Sequence, residues 1–354
     1  MINLLRYVNV YVTYCEESTT MKTKTKGYIN EINPEKVKKF LDATKSPILE
    51  LFELQECIGS GSESIVYKAK KKKSECVVAL KLIIKKKTIM NEINILKKLN
   101  NKNIIKYYDS KNINDELDYI EMEYGNYNLR DFQKKILKLK TFSETFLCYI
   151  TYQILNGLKY CHFSCKVAHL DLKPQNIVID DCLNVKLIDF SISIDYNKTN
   201  LDDKIKLPFR GTCFYIPPEV FTRKTINIKD YNKVDLYSLG VILYNLAFGC
   251  YPFGLTHEDN NYNVIFKKII NSNLTINEEN NNFSSYFVDF LKLLLEKDIN
   301  KRININEALN HYWVKGAKIL FDERELLCDS ELFLNSLFHD GFKNYNDYNK
   351  KKRI

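Results

Sequence analysis

Asp171, Lys173 and Asn176 stand in the stretch His169-Leu170-Asp171-Leu172-Lys173-Pro174-Gln175-Asn176, and Asp189-Phe190-Ser191 begins thirteen residues after the Asn. An Asp, a Lys two places on and an Asn five places on can converge from one tight loop onto a hydroxyl nucleophile, a phosphate and a magnesium ion. A second Asp beside an apolar Phe supplies another oxygen ligand for a hard cation.

Upstream, Ile58-Gly59-Ser60-Gly61-Ser62-Glu63-Ser64-Ile65-Val66 reads as a Gly-rich hairpin. Its two glycines would let backbone amides approach a triphosphate without interference from Cβ atoms, although a bare surface turn uses the same residues. The β-branched run Val77-Val78-Ala79-Leu80-Lys81 follows as a strand. Met90 to Leu99, with Glu92 inside it, spaces its apolar positions three and four apart, as a helix does. Tyr119-Ile120-Glu121-Met122-Glu123-Tyr124-Gly125 reads as a further strand leading out of this region.

In this order the segments resemble the eukaryotic protein kinase family, serine/threonine type, over roughly residues 51 to 318. The resemblance implies that Ile58 to Val66 cover ATP and that Lys81 reaches its α- and β-phosphates while pairing with Glu92. It implies that backbone groups around Glu123 and Tyr124 bind adenine, that Met122 guards the pocket behind it, and that Val66, Ala79 and Val178 sandwich the ring. Asp171 would orient the substrate hydroxyl and accept its proton, and Lys173 would stabilise the transferring phosphoryl. Asn176 and Asp189 would hold magnesium, with manganese as its substitute. Lys173 two places after Asp171 is the serine/threonine pattern, so protein serine and threonine hydroxyls are the implied substrates. Gly211-Thr212-Cys213-Phe214-Tyr215-Ile216-Pro217-Pro218-Glu219 resembles the end of an activation segment, with Arg302 as the partner of Glu219 and Asp235 as the residue that orients the catalytic loop.

The chain departs from the family pattern at several places. Ser64 stands for the third glycine of the hairpin, and only eleven residues separate Lys81 from Glu92, which points to a trimmed helix. Leu170 replaces the Arg that in many members binds a phosphorylated activation loop, so a phosphate there lacks its main partner. We therefore expect activity that does not depend strongly on loop phosphorylation, with Thr199 and Thr212 as the residues to test. Ser191 replaces a Gly and is expected to bias its loop toward one conformation. Gln175 and Leu129 occupy places where arginine-directed members often carry acids. Two other readings stay open: a pseudokinase or scaffold that binds nucleotide or a partner, and a small-molecule kinase on a related fold, which Pro217-Pro218-Glu219 disfavours.

The surrounding pattern supplies the elements that must hold these residues. From Leu51 to Tyr124, alternating and β-branched runs flank one helix, whereas beyond Gly125 apolar faces recur at helical spacing. The expected fold class is α+β, a bilobal protein-kinase-like fold with a small sheet lobe (51–124) and a larger, mostly helical lobe (125–318). An N-terminal extension (1–50) contains Asn33-Pro34-Glu35, a cap, a first-turn Pro and a dipole-favourable acid, ahead of Val37, Phe40 and Leu41 on one apolar face. A C-terminal extension and basic tail (319–354) closes the chain.

With 354 residues and 45% hydrophobic composition the chain can bury a large core. The ten cysteines are scattered without paired CxxC spacing, which fits a reducing compartment, the cytoplasm, with Lys350-Lys351-Lys352-Arg353 as a weak nuclear signal. The net charge of +9 sits in short lysine runs that read as solvated turns, so no nucleic-acid partner is expected. No stretch is long enough to span a bilayer, Arg6 interrupts the apolar start, and Ile2 excludes the usual myristoylation signal. Frequent Asn, Lys, Ile and Tyr resemble proteins encoded by AT-rich genomes, which bears on source and not on chemistry.

Overall fold

The computed structural model describes residues 32–316 except 62, 85–88, 115–116, 138–140, 181, 198–202, 210, 223, 260 and 277–282. Readings that fall on Ser62, Thr199 and the tail beyond 316 therefore lie outside the described residues. The chain divides into two compact units, the first running to Lys97 and including Lys106–Tyr124, the second formed by Lys98–Ile105 and the chain from Gly125 on. Among the described residues no helix is long and apolar enough to cross a membrane.

The first unit is built on an antiparallel sheet of β1 (Phe52–Ser60), β2 (Ser64–Lys71), β3 (Val77–Ile83), β4 (Tyr107–Asn114) and β5 (Leu117–Glu123), in the order β1-β2-β3-β5-β4. Because side chains alternate across a strand, register decides which residues share a face. Val66 opposes Lys81, which opposes Ile120, and Ala79 opposes Met122, so these lie on one face. Tyr67, Leu80 and their neighbours Ile65, Ala69, Val78, Leu82, Leu117 and Tyr119 fill the other and form a core with helix α1 (Pro34–Ala43).

Helix α1 forms where its cap signals stand: Asn33 Oδ1 accepts from the amides of Glu35 and Lys36 at 3.0 and 3.2 Å, and Pro34 opens the first turn. It buries Val37, Phe40 and Leu41, at about 1.5–3 kcal/mol each for side chains of this kind. Helix α2 (Ile89–Lys98) places Glu92 in its first turn and buries Ile93, Ile95 and Leu96.

In the second unit, β6 (Tyr127–Asn128), β8 (Ile177–Ile179) and β9 (Val185–Leu187) form a small sheet, and β7 (Val167–Ala168) pairs with β10 (Ile194–Asp195). A further ladder joins β11 (Lys204–Lys206) to β12 (Thr225–Asn227). The longer helices are α3 (Glu144–Lys159), α4 (Tyr231–Phe248), α5 (Tyr262–Asn271), α6 (Ser285–Leu294) and α7 (Ile305–Asn310). Helix α4 is apolar nearly all round and buried along most of its length, as expected of a helix at the centre of a domain. Ser143, Ser284 and Asn304 cap α3, α6 and α7, and at α7 Glu307 completes a capping box.

Candidate active site

In the first unit, Lys81 Nζ lies 2.7 and 2.9 Å from the two carboxylate oxygens of Glu92, with both side chains buried. The short span of eleven residues does not prevent the pair. The chain passes from β3 to α2 quickly enough to bring Glu92 into the first helical turn, where the helix dipole also favours its charge. Ile58, Gly59 and Ser60 end β1, and Ser64, Ile65 and Val66 begin β2, with Ser60 opposite Ile65. Glu63 lies in the turn, and its carbonyl accepts from the Ile84 amide at 3.0 Å. A Cβ built on Gly59 or Gly61 would meet protein atoms no nearer than 3.7 Å, so nothing among the described residues demands glycine there. Ala79 and Met122 are buried neighbours across β3 and β5. The Glu123 amide donates to the Lys106 carbonyl at 2.9 Å, so a ligand at this segment would use its other backbone groups. Lys68 Nζ stands 5.0 Å over the Tyr124 ring.

In the second unit, the Asp171 carboxylate is held from two sides. Lys173 Nζ at 2.6 Å and Asn176 Nδ2 at 3.0 Å donate to Oδ2, while the Thr212 amide at 3.1 Å and hydroxyl at 2.9 Å donate to Oδ1. Lys173 Nζ also donates to Thr212 Oγ1 at 3.0 Å. Asn176 Nδ2 donates in addition to the Asp171 carbonyl at 2.8 Å, so the side-chain oxygen is the atom this amide can offer a cation. The Ile188 amide donates to the Asn176 carbonyl at 3.0 Å, which brings Asp189, the next residue, to the same end of the β8–β9 ladder. The donor set of an amide oxygen and a carboxylate fits magnesium chemistry. Val178, two residues after Asn176 on β8, is buried; a Cβ on Gly125 would fall 2.7 Å from it, so only glycine fits at 125.

Two residues of the site adopt left-handed backbone, Leu170 at φ 66° and Asp189 at φ 62°. Neither is glycine, and such conformations persist where surrounding bonds enforce them. Asp235, fully buried in α4, accepts from the amides of His169 and Leu170 at 2.9 and 2.7 Å, and its Oδ2 lies 2.7 Å from His162 Nε2. Burial pushes the Asp235 carboxyl upward, yet the His162 hydrogen bond and charge, with His169 and the Leu170 amide, outweigh it and hold it below the usual carboxylate value. His169 Nε2 lies 2.9 Å from the Ile188 carbonyl and its ring packs 4.9 Å from that of Phe190, which is fully buried. Ser191 does not share the left-handed conformation, which explains structurally why a Cβ is tolerated where the family pattern has glycine.

Leu170 packs against an apolar cluster that includes Leu207, Ile216 and Val220, at the place where the family's Arg would carry charge. Gly211, at φ 103°, lies so close that a Cβ would fall 2.8 Å from the Leu170 carbonyl. Farther along, Arg302 meets Glu219 as a fork, with Nη1 to Oε1 at 2.6 Å and Nη2 to Oε2 at 3.1 Å. The guanidinium also donates to the carbonyls of Glu296 and Lys233 and lies 4.9 Å from the Tyr237 ring centre, so the buried charge is well partnered.

Leu129 is fully buried in the turn that follows Asn128, whose side chain caps that turn, so this position presents no charge where arginine-directed members often carry an acid. Gln175 is half-buried, and its Oε1 has no hydrogen-bond partner among the described residues. Sequence reasoning missed the roles of His162 and Gly211. His162 lies on no recognisable motif and only its fold-level meeting with Asp235 marks it, whereas Gly211 beside Thr212 carried a signal in its type.

The protein kinase domain family matches residues 52–314. The chain is 32% identical over 80% of its length to "Serine/threonine-protein kinase dst2" of Dictyostelium discoideum, and 31% identical over 82% to "Calcium-dependent protein kinase 3" of Plasmodium yoelii yoelii. It spans 24% of the first of these relatives and 52% of the second. With "Myosin light chain kinase A" of Dictyostelium discoideum it shares 32% identity over 75% of its own length and 89% of the relative. A family match over most of the chain, joined to the Lys81–Glu92 pair and the Asp171 loop, leads to one conclusion: the chain belongs to the eukaryotic protein kinase family, with a kinase domain of the serine/threonine type at residues 52–314.

Proposed function

We propose that this protein transfers the γ-phosphoryl group of ATP, with magnesium, to serine and threonine hydroxyls of protein substrates. The observation that carries the reading is the Asp171 carboxylate gripped by Lys173, Asn176 and Thr212. Phosphoryl transfer asks a protein mainly for positioning and charge neutralisation. Asp171 orients the incoming hydroxyl and takes its proton, and its four donors restrict the directions it can face. Lys173 neutralises charge on the transferring group, and Thr212 ties the two side chains together. Lys81, held by Glu92, meets the nucleotide phosphates. The Gly59–Val66 hairpin covers them, and among the described residues its glycines answer to no crowding, so the room they leave is available to the nucleotide. Asn176 and Asp189 are the residues to hold magnesium, which when bound neutralises the phosphate oxygens.

Activity without a phosphate on the activation segment is part of the same reading. Its support is the apolar packing of Leu170 on Leu207, Ile216 and Val220, with the β11–β12 ladder anchoring the segment farther on. Burial of apolar surface here does the work that a phosphate–arginine contact does elsewhere. A reducing compartment, the cytoplasm, belongs to the same reading, on the scattered cysteine spacing of the sequence.

The test is transfer of labelled γ-phosphate to a generic protein substrate by wild type, Asp171→Asn, Lys81→Met and Thr199→Ala. Incorporation that Asp171→Asn and Lys81→Met abolish and Thr199→Ala keeps is the expected pattern. Silence from the wild type with ATP still bound would replace the enzyme by a nucleotide-binding scaffold, and loss in Thr199→Ala would end the phosphate-independent reading.

A further inference from the structure

The Gly-rich hairpin is gripped by a residue that lies twenty positions ahead of the matched kinase domain, which begins at 52. Ile32 offers both of its backbone groups to the hairpin: its carbonyl accepts the Ser60 hydroxyl at 2.6 Å, and its amide donates to the Gly61 carbonyl at 3.1 Å. The hairpin closes on itself through the Gly61 amide and the Ser64 carbonyl at 2.9 Å, so Gly61 is engaged at both ends.

The grip has a fixed base. Ile32 is 2% exposed and belongs to the same core as Val37, Phe40 and Leu41 of α1. Just after it, the Asn33 cap orders the first turn of α1, and the Pro34 carbonyl accepts the Tyr67 hydroxyl at 2.9 Å. The hairpin itself has less to hold it. Strand β1 carries register irregularities between Leu54 and Cys57 and between Cys57 and Gly59, and its residues from Gln55 to Ile58 are exposed. Bulges twist a strand and interrupt its ladder, so the sheet alone secures this tip weakly.

We propose that Ile32 is a positioning residue for the Gly-rich hairpin: its backbone holds Ser60 and Gly61 in one arrangement before nucleotide arrives, so that binding does not have to order the tip. The functional half of this inference rests on the ATP-dependent reading above, whereas the structural half does not. The segment ahead of the kinase domain thus becomes part of the nucleotide site, and Ser60 acts through a hydroxyl turned to Ile32.

Two readouts separate the halves. Hydrogen exchange of the hairpin amides in nucleotide-free protein reports the grip, and the KM for ATP set against kcat reports its use. Ser60→Ala removes one bond, and Ile32→Pro removes the other by deleting the amide, with Ile32→Ala as the control that loses packing but keeps the amide. Each of the first two should speed exchange at Gly61 to Ser64 about fivefold, the effect of one ordinary hydrogen bond, and raise the ATP KM by a similar factor at unchanged kcat. Ser60→Thr, which keeps a hydroxyl, should restore both. Tyr67→Phe, which frees Pro34 but leaves Ser60 and Gly61 bonded, should leave both as in wild type. Unchanged hairpin exchange in Ser60→Ala and Ile32→Pro overturns the grip. Faster exchange with an unmoved KM overturns the positioning role. Faster exchange in a protein that binds no ATP in any form leaves the grip standing and sinks the kinase reading instead.

Discussion

The Thr212 hydroxyl donates to Asp171 Oδ1 at 2.9 Å and accepts from Lys173 at 3.0 Å, so a residue of the activation segment completes the catalytic loop. Its amide donates to the same oxygen at 3.1 Å, and Gly211 before it lies against the Leu170 carbonyl. The same bonds therefore hold both the segment and the Asp171 carboxylate.

Thr212→Ala should lower kcat about ten- to a hundredfold, the range in which a misoriented general base acts, while the KM for ATP stays within about twofold. Thr212→Ser keeps the donor and should retain most activity. Equal kcat in the alanine variant and wild type would remove Thr212 from the machinery. The Thr212 amide bond survives either change, so the loop itself should stay folded.

Much of this was legible beforehand, for definite reasons. Lys81, Glu92, Asp171, Asn176 and Asp189 sit in short motifs whose order survives departures at single positions, and α1 was legible because Asn33-Pro34 is a cap signal independent of tertiary context. That Leu129 is buried was not legible, because spacing along a hinge does not reveal which residue a capped turn points inward. The Ile32 contact had no signal at all, since backbone groups bond whatever their side chains and nothing in the letters marks Ile32. The tolerance of Ser191 likewise depends on backbone angles, with the left-handed conformation at Asp189 instead.

The Arg302–Glu219 pair is buried on both sides, at 0% and 3% side-chain exposure. Arg302→Leu leaves a buried carboxylate without its cation and should destabilise the protein by about 3–5 kcal/mol in urea unfolding. Adding Glu219→Leu to that variant should recover part of the loss, because the uncompensated charge goes. If the double variant is as unstable as the sum of the single ones, the pair does not act as a unit.

Leu170→Arg returns the family's residue to a place built without charge. The new guanidinium would stand against Leu207, Ile216 and Val220 with no phosphate to meet. We expect lower thermal stability and reduced kcat, whereas Leu170→Met, similar in volume, should change either little. Activity gained by Leu170→Arg on phosphorylation of the segment would show the apolar packing to be replaceable.

Asp235 links stability to acid. Its carboxyl titrates below the ordinary value of 3.8 when folded, because the bonds to His162, His169 and Leu170 favour the charged form more than burial opposes it. A folded value depressed below the unfolded one contributes stability that is fully present above the unfolded value and is lost as pH falls through the folded one. Within that window each unit of acidification removes about 1.4 kcal/mol from this source. Asp235→Asn has no such proton to bind, and it also loses one acceptor of the His169 and Leu170 amides that hold Leu170 left-handed. Wild type should thus exceed Asp235→Asn in urea stability at pH 5, and the margin should shrink as pH falls between about pH 4 and pH 3. Other carboxylates titrate over the same range in both proteins, and below pH 5 the neighbouring His162 and His169 no longer change charge, so there the difference between the two curves isolates residue 235. A margin that stays flat down to pH 3 would mean that Asp235 titrates alike folded and unfolded, and that the His162 bond does not outweigh its burial.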